Sequence, residues 1–87
     1  MHHATEAALV RCADALGLDL YLDRNDSNWT RIEVHEKGED NEPAGIVITD
    51  SKTFQVRTVY ARIDSGTART GGIKAGKEVL TMIKEAL

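Results

Sequence analysis

Apolar positions recur along this chain with two periods, and the switches between them divide it into six elements. From Thr5 to Leu16, Leu9, Cys12, Ala13 and Leu16 fall on one helical face, with Arg11 and Asp14 off it. Thr5 is placed to cap the first turn, Glu6 sets a negative charge beside its exposed amides, and Gly17 is a natural stop. The period then drops to two. Leu18, Leu20 and Leu22 alternate with Asp19, Tyr21 and Asp23, and after the turn-forming run Asn25–Asn28 the residues Thr30, Ile32 and Val34 alternate with Trp29, Arg31, Glu33 and His35. These two segments are expected to form an antiparallel hairpin.

A polar, acidic loop from Lys37 to Pro43 leads to a short β-branched strand, Gly45–Thr49, and Asp50-Ser51-Lys52 turns the chain again. Thr53–Ile63 is predicted as one long fourth strand. Its alternation changes phase near Arg57–Thr58, as a bulge or burial on both faces would produce. A Gly- and Thr-rich loop, Ser65–Gly72, then enters a closing helix in which Ile73, Gly76, Leu80, Ile83 and Leu87 form one stripe widened by Val79, Met82 and Ala86.

The predicted order is α-β-β-β-β-α: a single α+β domain over residues 1–87. Short connections favour a four-stranded antiparallel meander with both helices packed on one face. The opposite face is expected to present Tyr21, Trp29, Arg31, Glu33, His35 and Val47. Eighty-seven residues leave no room for a second core.

Composition narrows the class. With 41% hydrophobic and 29% charged residues the composition is ordinary for a globular protein and argues against global disorder. One cysteine, Cys12, excludes an internal disulfide framework and points to a reducing compartment. Charges within the first apolar segment argue against a signal peptide, and the longest apolar run, Ala44–Ile48, is far shorter than a membrane span. The expectation is a soluble cytoplasmic protein.

The net charge of −3 conceals an asymmetry. Residues 1–50 carry four Lys/Arg against eleven Asp/Glu, a net of −7, whereas residues 51–87 carry seven against three, a net of +4. Either the halves interdigitate and compensate locally, or the folded surface is bipolar and suited to oriented docking.

Candidate chemistry is sparse. Gly71-Gly72-Ile73-Lys74-Ala75-Gly76-Lys77 matches the first seven positions of a phosphate-binding loop, but Glu78 stands where a magnesium-binding hydroxyl is needed and the parallel βαβ context is missing. The remaining anion-binding reading rests on backbone amides near the Gly71-Gly72 helix start. Against it stands a tight glycine entry into a packed helix. Arg57, Arg62, Arg69, Thr70, Lys74 and Lys77 form the candidate set for a nucleic-acid or anion contact. The negative net charge counts against a generic nucleic-acid binder.

Trp29, Arg31, Glu33 and Tyr21 form the candidate protein-binding set, since Trp, Tyr and Arg combine buried area with directional donors at interfaces. No His/Cys/Asp/Glu grouping that includes His2, His3 or His35 has metal-ligand spacing, and Glu39–Glu42 lacks the ligand alternation of a calcium loop. Cys12 on the apolar helix face is expected to be buried and inert, and no nucleophile motif surrounds Ser27, Ser51 or Ser65.

The leading expectation is therefore a small protein that is not an enzyme and needs no cofactor or metal. It would bind another protein as an inhibitor, adaptor or regulator, of a kind that mobile elements also carry. A nucleic-acid binder using the basic C-terminal half is the second expectation, and a homodimer joined through sheet edges or the open sheet face is the third.

Overall fold

The computed structural model describes residues 3–23, 29–38, 42–50, 53–57 and 66–87. In chain order they form α1 (His3–Ala15), β1 (Leu18–Asp23), β2 (Thr30–Glu36), β3 (Gly45–Thr49), β4 (Thr53–Arg57), β5 (Ala68–Thr70) and α2 (Ile73–Ala86). The five strands make one antiparallel sheet in the order β1-β2-β3-β4-β5. The α+β class and the meander agree with the sequence pattern, but the sheet has five strands where four are expected.

The additional strand comes from the Gly/Thr-rich segment expected to be loop. Ala68, Arg69 and Thr70 are all exposed, so the strand carries no apolar alternation to mark it. Of the long strand expected over Thr53–Ile63, only Thr53–Arg57 lies within the described residues. The first helix starts before Thr5, which therefore sits inside the first turn rather than at the cap.

Cross-strand register explains which residues enter the core. Leu22 pairs with Ile32, Ile32 with Val47 and Val47 with Val56, so one row of the inward face is apolar across four strands. A neighbouring row runs through Thr30, Thr49 and Phe54 to Arg69. Leu9 and Ala13 of α1 and Ala75, Val79, Leu80 and Ile83 of α2 join Ile32, Val34, Val47, Phe54 and Val56 in one buried cluster. Packing is closest at two glycines. A Cβ on Gly45 would lie 3.1 Å from Ile83, and a Cβ on Gly76 would lie 2.5 Å from Leu9 and 3.3 Å from Phe54.

Local hydrogen bonds close the connections. Gly17 ends α1 at φ 74°, and its carbonyl accepts the Lys37 N–H at 2.9 Å, tying the end of β2 to the helix terminus. The Lys37 ammonium reaches Asp14 at 2.9 Å across the same junction. Between β3 and β4 the Asp50 carboxylate accepts the Thr53 N–H at 2.9 Å, a side-chain-closed turn. At the entry to α2, Gly71 and Gly72 have φ 137° and 67°, a region that residues with a Cβ rarely adopt. That backbone requirement accounts for the glycine pair, and no side chain caps the helix. Among the described residues no helix is long and apolar enough to cross a membrane.

Candidate functional site

The outward phases of β1, β2 and β3 form the first candidate surface. Tyr21 pairs with Glu33 and Glu33 with Ile46; beside them Asp23 pairs with Arg31 and Arg31 with Ile48. Paired residues share a face, so Tyr21, Asp23, Arg31, Glu33, Ile46 and Ile48 lie together. Tyr21 is 47% exposed, and Trp29, immediately before β2, is 40% exposed. Arg31 and Glu33 are half-buried and paired at 3.5 Å, so the charges next to the aromatic groups are partly neutralised. Three of the four sequence-predicted protein-binding residues thus occupy adjacent positions on one face, with Trp29 at the start of the same strand.

Two members of the expected outward set are placed otherwise. Val47 is 2% exposed and faces the core, because its pairing with Ile32 fixes the phase of β3 opposite to the expected one. Ile46 and Ile48 take the outward phase instead, half-buried. Their contribution is invisible in the sequence, where Ile46, Val47 and Ile48 are consecutive apolar residues without a period. His35 is 5% exposed: the Tyr21 ring meets it edge-on at a centroid distance of 4.8 Å, and the Glu33 carboxylate lies 4.0 Å from Nε2. It supports the Tyr21 ring rather than presenting itself to solvent. Cys12, expected to be buried, is half-exposed.

The second candidate set is divided by the fold. Arg69, Lys74 and Lys77 come together around an open groove of about 740 Å³ between β5 and α2, with Ile73, Glu78, Thr81 and Met82 completing its lining. Ile73, assigned to the buried stripe by its spacing, is exposed there. Thr70 is exposed on β5 one position from Arg69, hence on the opposite phase. The backbone of Arg57 pairs with Ile46, in a different row from Arg69, and Arg62 lies outside the described residues.

Among the described residues, β1 and β2 carry Asp19, Asp23, Glu33 and Glu36 with Arg31, whereas β5 and α2 carry Arg69, Lys74, Lys77 and Lys84 with Glu78 and Glu85. Among the described residues, no three His, Cys, Asp or Glu side chains are grouped to hold a metal ion. No protein-family model matches the chain, nor does any curated protein or solved structure.

Proposed function

We propose that this protein is a non-catalytic binding module that docks another protein on the outward face of β1–β3, as an inhibitor, adaptor or regulator. The observation that carries the proposal is the apolar and aromatic group formed by Tyr21, Trp29, Ile46 and Ile48 around the Arg31–Glu33 pair. Exposed aromatics beside an arginine are what protein interfaces bury at their centres. Both helices pack on the opposite face, which the single buried cluster shared by α1, α2 and the sheet supports. On the proposed face Tyr21 and Trp29 stay exposed among the described residues, which favours contact with a partner there. Asp19 and Asp23 of β1 share its phase beside the Arg31–Glu33 pair and favour a partner with basic groups around an apolar centre.

The nucleic-acid reading has less to support it. Three cations share the β5–α2 groove, but Glu78 lies among them and the whole chain is negative.

Capture from a lysate of the native source tests the proposal, with wild type and Trp29→Ala compared in nuclease-treated and untreated halves. A stoichiometric protein held by wild type in both halves and lost from Trp29→Ala is expected. Material that disappears with nuclease, or that binds the variant equally, overturns it.

A further inference from the structure

The groove between β5 and α2 lies on another part of the molecule, and its chemistry differs from that of the β1–β3 face. Among the described strands β5 stands at the end of the sheet, with one side of its backbone turned away from β4. The Val56 N–H donates to the Thr67 carbonyl at 2.7 Å, which fixes the phase of the ladder. Thr67 and Arg69 then direct their backbone groups toward β4, and Ala68 and Thr70 direct theirs outward.

The Ala68 carbonyl is held by the chain itself: the Arg69 Nη1–H donates to it at 3.0 Å, while Arg69 Nε lies 3.8 Å from the Glu78 carboxylate. Both contacts are exposed and weak, so they are readily exchanged. Beside this edge, Ile73 and Met82 add apolar surface to the groove's lining, where Arg69, Lys74 and Lys77 outnumber Glu78.

We infer that this groove binds an extended acidic peptide segment, which adds to β5 as a further antiparallel or parallel strand. The peptide's N–H takes the Ala68 carbonyl, releasing the Arg69 guanidinium to pair with an acidic side chain of the peptide. Alternate residues of a strand point to one face about 7 Å apart, so acidic residues flanking an apolar one can meet Lys74 and Lys77 with the apolar side chain against Ile73. A nucleic acid would use the cations but neither the strand edge nor the apolar lining. Its backbone would also meet Glu78 and a negatively charged molecule. The inference is independent of the β1–β3 reading: either surface can fail without the other.

The test uses a fluorescein-labelled heptapeptide with Asp at positions two and six, Leu at position four and Thr elsewhere. A version with Lys replacing Asp and a labelled oligo-thymidine serve as competing probes, all followed by anisotropy at low salt. The acidic peptide is expected to bind at least tenfold more tightly than the other two. Lys74→Glu with Lys77→Glu is expected to weaken it roughly tenfold or more. Ala68→Pro removes the outward N–H that would pair with a peptide carbonyl, fixes φ at residue 68 and restricts Thr67, and is expected to abolish binding with all three cations in place. In the wild-type protein, the Ala68 and Thr70 amides are expected to gain protection from hydrogen exchange when the acidic peptide is added, a readout that needs no variant to fold. Preference for the lysine peptide or the oligonucleotide, or acidic-peptide binding that leaves those two amides unprotected, overturns the inference.

Discussion

Replacing Gly76 with alanine tests the packing on which the fold depends. The residue lies within α2, where alanine would ordinarily stabilise a helix by about 1 kcal/mol relative to glycine. Here the added Cβ would lie 2.5 Å from Leu9 Cδ2 and 3.3 Å from Phe54 Cε1 and Cζ. Carbon atoms at optimal separation are roughly 3.5–4.0 Å apart, so the Leu9 methyl must move by about 1 Å or more. A small apolar void of about 10 Å³ bordered by Leu9, Phe54, Gly76 and Leu80 absorbs part of that movement. The Phe54 ring, 1% exposed, borders the same small void and shares it with Leu9.

Overpacking of this kind costs roughly 1–3 kcal/mol, and the propensity gain offsets part of it. The expected net loss is about 0–2 kcal/mol, which lowers the melting temperature by up to roughly 15 °C in a domain of this size. Thermal and urea unfolding followed by circular dichroism reads it directly. Leu9→Ala alone is expected to cost about 2–5 kcal/mol, and less in the Gly76→Ala background because the clash is then relieved. A Gly76→Ala protein more stable than wild type by the full propensity gain of about 1 kcal/mol, or strict additivity of the two substitutions, would refute the close contact of α1, α2 and Phe54.

Other substitutions probe separate parts of the account. Val47→Asp is expected to unfold the domain in a urea titration, whereas Ile46→Asp, one position away on the outward phase, leaves it folded with a loss below about 2 kcal/mol. Gly72→Ala places a side chain at φ 67° and is expected to cost roughly 1–2 kcal/mol in the same assay, although nothing lies within 4 Å of its new Cβ. The hydrogen bond and charge of Asp14 hold the Lys37 ammonium above its ordinary value of 10.5. A raised value in the folded state contributes stability that is present below pH 10.5 and lost as pH rises through the folded value. Lys37→Met is therefore expected to flatten the fall in stability above that pH, measured against wild type.

The sequence pattern reveals the parts of the fold that bury an alternating face. Leu18, Leu20 and Leu22 against Ile32 and Val34 define the first hairpin, and Leu9, Ala13, Val79, Leu80 and Ile83 define the two helical stripes. It does not reveal β5, because an exposed three-residue strand buries nothing and leaves no period. Nor does it orient β3: with three consecutive apolar residues, only the pairing of Ile32 with Val47 and of Thr30 with Thr49 decides which ones face out. The same limit applies to the candidate surfaces. Tyr21, Arg31 and Glu33 are legible from alternation, yet Ile46 and Ile48 join them only through register. Arg69, Lys74 and Lys77 stand out as basic residues, but that they share one groove lined also by Ile73 and Met82 depends on how α2 lies beside β5.

The central claim is that the outward face of β1–β3 is the surface that meets another protein. The chain has one tryptophan and hence one indole N–H signal, a local probe at the edge of that face. Isotope-labelled protein in nuclease-treated lysate of the native source, compared with buffer, gives the most direct test. The account predicts that the Trp29 indole signal and the amides of Tyr21, Ile46 and Ile48 shift or broaden selectively. A spectrum in which these signals are unchanged from buffer would contradict it.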